Sequence, residues 1–216
     1  MSQNQQMSQG QRKRVGIDFD NTIISYDAVF LSAAIERSLV AGDFTGSKRA
    51  VRDAIRLLPD GENDWQRLQG YVYGQGIAGA ATFDGLEDFL RRCRRDGHGV
   101  TIVSHKTEYG HFDPARINLR EAALGWMRDR GFFAEDGLGI SQADIYFEGT
   151  RAEKLARIRT LELTHFIDDL REVLDDPDFP PGVERILFSR DGDEPLPYSA
   201  FASWSEIEGA LLGRPE

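Results

Sequence analysis

Cysteine is almost missing from this chain. Cys93 is the one thiol in 216 residues, which rules out an internal disulfide and a Cys-rich zinc site. It lies on a stretch with helical periodicity, so it reads as a core or surface thiol and not as a nucleophile. Long apolar runs are also absent. No stretch approaches the roughly 20 apolar residues of a membrane span, and residues 1–11, rich in Gln and Ser, lack the apolar centre of a signal peptide. A cytoplasmic protein with no membrane partner and a disordered tail over residues 1–13 is expected. Positive charge is scarce as well: 26 basic residues face 36 acidic ones, a formal net charge of −10. That balance excludes a non-specific binder of nucleic-acid polymers, which needs a basic face to displace counterions. It does not exclude a small anionic ligand, because a metal and a few local cations override the global field. There is no internal repeat.

What remains is an ordinary globular content, with 40% hydrophobic and 29% charged residues. This suits one sizeable core plus a small insertion and is tight for two full domains. The most informative stretch is residues 15–22, Val-Gly-Ile-Asp18-Phe-Asp20-Asn-Thr22. Its short apolar run followed by turn formers predicts a buried strand that ends at the acids. Two close carboxylates repel, and a hard cation between them relieves the repulsion. Taken alone, the same residues also suit a turn with a helix N-cap.

Apolar residues at helical spacing predict helices over 27–40, 47–58 and 64–73, and the glycines at 74, 76 and 79 make 74–81 a flexible return. No strand is expected within 26–81, which reads as a helical insertion over the strand ends. From Asp84 the pattern becomes regular. Helices are expected over 86–95, 119–130, 152–160 and 204–212, with a short one from 171; strands are expected over 100–103, 143–147, 165–167 and 185–188. Alternation of this kind implies right-handed crossovers and an α/β fold, a Rossmann-like, doubly wound, mainly parallel sheet formed by residues 14–25 and 82–216.

Ligands bind such sheets at the carboxyl ends of the strands. There the first strand delivers Asp18 and Asp20, the second Ser104, the fourth Asp168 and Asp169, and the preceding helix Lys154. Several carboxylates in one crevice call for a divalent cation with hard oxygen ligands, which points to Mg²⁺. Ser104 as a neutral donor and Lys154 as a point charge suit phosphate oxygens.

In this pattern the chain resembles the haloacid dehalogenase superfamily. The match is collinear: Asp18-Phe-Asp20-Asn-Thr22 fits the first motif, Ile102-Val103-Ser104 the second, Lys154 the third, and Phe166-Ile167-Asp168-Asp169 the fourth. Each is common by chance, whereas all four in order form a specific signal over residues 14–212. The resemblance places 26–81 at the position of a C1-type helical cap. It implies that Asp18 is a nucleophile forming an aspartyl-phosphate, and that Asp20 protonates the leaving oxygen and then activates water. It implies Mg²⁺ held by Asp18, the Asp20 backbone carbonyl and the fourth-motif acids, with Asp169 as direct ligand and Asp168 behind it. Ser104 and Lys154 would hold the phosphoryl group, and Thr22 the loop geometry. The presence of Asp20 favours phosphoryl chemistry, since halide departure needs no proton.

The implied activity is a Mg²⁺-dependent phosphomonoesterase acting on a small phosphorylated metabolite, a sugar phosphate or a nucleotide. A phosphotransferase or mutase using the same aspartyl-phosphate, and a non-catalytic phospholigand-binding module, are the alternatives. Nothing in the residues fixes the oligomeric state. His105 and Lys106 are candidates for contact with substrate beyond the phosphate, or else members of a solvated loop. His111, Phe112 and Asp113 are candidates for the same mouth, and Arg116 and Arg120 for a second anion or for plain solvated charge. Tyr26, Phe30, Trp65, Tyr71 and Tyr73 either face substrate or form core. The acids at 175–178 read as a loop.

Overall fold

The computed structural model describes residues 12–110, 112, 115–190 and 195–213. Residues 1–11 of the tail expected over 1–13, and His111 and Asp113, lie outside them; Lys13 is described, and its amide donates to His98 Nδ1 at 3.2 Å. Six parallel strands form the main sheet in the order β5-β4-β1-β6-β7-β8: β1 Arg14–Ile17, β4 Gly99–His105, β5 Ile145–Glu148, β6 His165–Asp168, β7 Glu184–Phe188 and β8 Ser199–Phe201. β1 is central, with Ile17 opposite Ile102 on one side and Ile167 on the other.

The two-residue period of a strand explains the layers. Ile102 on β4, Ile167 on β6 and Ile186 on β7 join one apolar cluster. Their neighbours Val103, Phe166 and Leu187 join a second cluster on the opposite face. Helices α4 (Leu86–Arg95), α5 (Leu119–Asp129) and α8 (Trp204–Leu212) supply the first face, through Phe89, Trp126 and Trp204 among others. Helices α6 (Arg151–Thr160) and α7 (Arg171–Leu174) supply the second, through Leu155, Ile158 and Val173. Among the described residues no helix is long and apolar enough to cross a membrane.

Residues 27–79 carry three helices, α1 Asp27–Glu36, α2 Lys48–Ile55 and α3 Gly61–Tyr73, and a 3₁₀ turn at Gln75–Gly79. They pack on Phe30, Val51, Trp65 and Leu68, with Phe30 stacked on Trp65 at 4.8 Å, and this packing continues the first cluster of the sheet. Ser47 caps α2 by accepting from the Ala50 amide. The chain enters and leaves this helical block through a two-stranded antiparallel pair, β2 (Ile24–Ser25) and β3 (Ala81–Thr82).

Several local expectations differ from the structure: the helix expected to reach Val40 ends at Glu36, with Ser38 at φ of 55°, and the next ends at Ile55. The return over 74–81 is ordered, because Ile77 is buried and the Trp126 indole donates to the Ala80 carbonyl at 3.1 Å. Ala143 belongs to a 3₁₀ turn before β5. The strands β2, β3 and β8 were not expected; they are two or three residues long and mostly exposed or half-buried, so they carry little apolar signal.

Gly16 deserves its place at the centre of β1. A Cβ there would fall on Leu163 Cδ1 and come within 2.6 Å of Phe166 Cδ2. Gly16→Ala is expected to lower unfolding stability by about 1–3 kcal/mol through overpacking. A denaturant midpoint equal to that of the unchanged protein would contradict the packing described.

Candidate active site

Asp18 continues β1, and its amide donates to the Ile167 carbonyl of β6 at 2.9 Å. The chain then turns sharply: the Ile23 and Ile24 amides both reach the Phe19 carbonyl at 3.1 Å, and Asn21 takes φ of 60°. Asparagine tolerates that left-handed conformation better than most residues. Phe19 is locked edge-on against Trp126 and Phe147. Fully buried Thr22 offers its carbonyl to the Trp204 indole at 3.1 Å, and its hydroxyl lies 3.5 Å from Asp169 Oδ1.

Lys154 is 1% exposed and sits in the first turn of α6, whose N-cap Thr150 accepts from the Glu153 amide. Its ammonium donates to Asp18 Oδ1 and Asp168 Oδ2, both at 2.6 Å. The other oxygen of Asp168 accepts from the Leu170 amide at 2.9 Å. Asp169 completes the group, and Asp18, Asp168 and Asp169 each bring one carboxylate oxygen within 4.8 Å of the others.

Three carboxylates around one ammonium leave uncompensated negative charge out of water. Burial, opposed by Lys154 and reinforced by Asp168 and Asp20, pushes Asp18 up from 3.8 to about 7. Burial also raises Asp169 well above the carboxylate range, with Asp168 and Asp18 adding to it. For Lys154, burial alone would lower the value, but Asp168 and Asp18 outweigh it and the ammonium is held charged. A hard divalent cation fits this donor set, because it would supply the positive charge that the group lacks.

Asp20 points elsewhere. Both of its oxygens accept from the Lys106 ammonium at 2.9 Å, and one also accepts from the Tyr26 hydroxyl at 2.6 Å. Lys106 is 3% exposed, with its ammonium 5.4 Å from the Phe19 ring centre and 5.1 Å from that of Tyr73. The solvated-loop alternative for Lys106 therefore fails. Ser104 is buried on β4 opposite Phe147. His105 is exposed, with its ring Nε2 3.0 Å from the Gly149 carbonyl. Arg120 donates to the Lys106 carbonyl at 3.0 Å, while Arg116 lies over the Tyr109 ring. Phe112 is exposed beside Arg67 on a separate surface cleft.

The structure brings Asp18, Lys154, Asp168 and Asp169 together and holds Asp20 on Lys106, and two residues of the helical block lie against Asp20 and Asn21. Tyr26 contributes its hydroxyl more than its ring. Lys48, which the sequence did not single out, opens α2 and donates to Asn21 Oδ1 at 3.2 Å. Burial alone would lower its basicity, but Tyr73, Asp20 and Asp169 together raise it. The only local sign was a lysine directly after the N-cap serine.

No protein-family model matches the sequence, and neither does any curated protein. Solved structures do match. Protein Tyrosine Kinase A of Mycobacterium tuberculosis is 14% identical with a TM-score of 0.62, over 94% of this chain and 99% of that one. A haloacid dehalogenase-like family hydrolase of Streptococcus pneumoniae is 13% identical, TM-score 0.59, over 93% and 98%. The putative HAD-hydrolase YfnB of Bacillus subtilis, bound to magnesium, is 13% identical, TM-score 0.55, over 93% and 99%. This is the haloacid dehalogenase-like fold. At such identities the likeness is one of architecture, and the chemistry of this HAD-like chain has to be argued from its own side chains.

Two expectations follow from the acid group. Lys154→Met leaves Asp18 and Asp168 buried without their cation and is expected to cost about 3–5 kcal/mol in denaturant unfolding; an unchanged midpoint would refute the pairing. For Asp18, a folded value above the unfolded one means that its contribution to metal-free stability is present below 3.8 and lost as pH rises toward about 7. A bound cation reverses that loss, so added magnesium should raise the melting temperature more at pH 8 than at pH 5. Equal shifts at the two pH values would count against a cation among these acids.

Proposed function

We propose that the protein is a Mg²⁺-dependent phosphomonoesterase acting on a small phosphorylated metabolite through an aspartyl-phosphate. The observation that carries this reading is the division of labour between Asp18 and Asp20: the first lies in the acid group with Lys154, the second is held separately by Lys106 and Tyr26. Asp18 attacks phosphorus with a carboxylate oxygen, and the bond to the ester oxygen breaks. Asp20 gives a proton to that leaving oxygen and then takes one from the water that hydrolyses the acyl phosphate. Lys106 and Tyr26 fix the Asp20 carboxyl in place for both transfers. Lys154 and Ser104 hold the phosphoryl group at the strand ends.

Asp169, Asp18 and the Asp20 carbonyl would hold the cation, with Asp168 behind them because both of its oxygens are already engaged. Bound there, magnesium screens the repulsion between a carboxylate and a phosphate dianion. The magnesium recorded in the Bacillus subtilis structure supports that choice. The helical block, placing Tyr26 and Lys48 against the strand ends, acts as a cap that limits water. Transfer to an acceptor other than water is the second reading, favoured by the likeness to a chain described as a tyrosine kinase.

A panel of phosphate esters assayed with and without magnesium tests the first reading. Asp18→Asn is expected to abolish phosphate release without loss of fold, and Asp20→Asn to slow it by about 10²–10⁴-fold. Turnover that survives Asp18→Asn would sink the mechanism, and phosphate released only when an acceptor is added would select transfer.

A further inference from the structure

The acid group does not fill the space beside it. A cleft of about 630 Å³ opens from Asn21 and Asp169 and runs outward between α2 and the end of β7, a size that small ligands occupy. Six cationic and three acidic side chains line it, in a chain whose net charge is −10. Lys48, Arg49, Arg52 and Arg56 recur at a spacing that keeps to one side of α2 and its C-cap. Arg190, just beyond β7, faces them across the cleft.

The ion pairs of Asp18, Asp20 and Asp168 are made by Lys154 and Lys106, and Arg52, Arg56 and Arg190 pair elsewhere. Arg190 pairs with Asp27 at 2.6 Å. Arg52 pairs with the adjacent Asp53 at 2.8 Å and Arg56 with Glu62 at 2.7 Å, all four side chains being a third to a half exposed or more. Exposed pairs of this kind contribute little and exchange readily for another anion. Between the charged walls lie Trp65, Phe83 and Phe188, the last two rings 4.9 Å apart, an apolar bed for a carbon skeleton.

We propose that the arginine wall is a subsite for a second anionic group. Resting on the phosphatase reading above, this makes the substrate a phosphate ester whose leaving group carries a further phosphate or carboxylate. A planar guanidinium suits either anion through paired hydrogen bonds.

Two matched pairs test the subsite and tell the anions apart: glycerol 3-phosphate against 3-phosphoglycerate, and fructose 6-phosphate against fructose 1,6-bisphosphate. With magnesium, kcat/KM for at least one doubly anionic member is expected to exceed that of its partner by about tenfold. The double variant Arg49→Gln/Arg52→Gln is expected to bring that ratio close to one. Ratios near one in the unchanged protein, or a ratio untouched by the double variant, overturn the proposal. If no ester is turned over, the phosphatase reading fails, and the subsite is decided by binding alone. The doubly anionic member should then raise the melting temperature more than its partner, and the double variant should lose the difference; equal shifts overturn the subsite independently.

Discussion

The acid group at the strand ends depends on one ammonium group. Lys154 joins Asp18 at the end of β1 to Asp168 at the end of β6, 2.6 Å from each, in a place from which water is almost fully excluded. A lone buried charge of either sign is very unfavourable there, so each partner makes the others tolerable. The same contact fixes α6 against the sheet edge. Mechanical and electrostatic roles therefore coincide in one side chain, which binds two adjacent strands to a helix and sets the charge that the acids show to a ligand.

The second acid is handled by separate means. Asp20 lies two residues beyond Asp18, yet its carboxylate meets Lys106 from the β4 loop and Tyr26 from the start of the helical block. The tight turn at Asn21 makes this possible by redirecting the chain immediately after the strand. Two carboxylates close in sequence thus occupy different surroundings, which is the physical requirement for giving them different chemical tasks.

The strand ends were legible because their cues are local. An apolar run stopping at an acid reveals both the strand and what hangs from it, and Asp18, Asp168 and Asp169 all carried that cue; Ser104 ended an apolar run of its own, while Lys154, on a helix, was singled out by its place in the order of the four motifs. Helix α4 could be placed to the residue by its apolar spacing and closing glycines. Lys48, and the contacts that Tyr26 and Lys106 make with Asp20, could not be read in this way. Their position depends on how the helical block leans on the sheet, and that is settled by long-range packing around Phe30 and Trp65. The same holds for the arginine wall of α2, which in the sequence is only an amphipathic helix with a charged face. Strand β8 escaped notice because backbone pairing to β7, and not burial, defines it.

The tie between Thr22 and Trp204 spans 182 positions. Strand β1 likewise waits for β4 and β6, both far downstream, before either of its edges is paired. A ribosome making this chain therefore releases the loop that bears Asp18 and Asp20 well before its fastenings. Until α8 has emerged, the turn that bears Asp18 and Asp20 lacks its clamp, and the central strand has open edges while synthesis continues. Assembly of the site is in this sense a late event, because its clamp is made 182 positions after the turn that it holds.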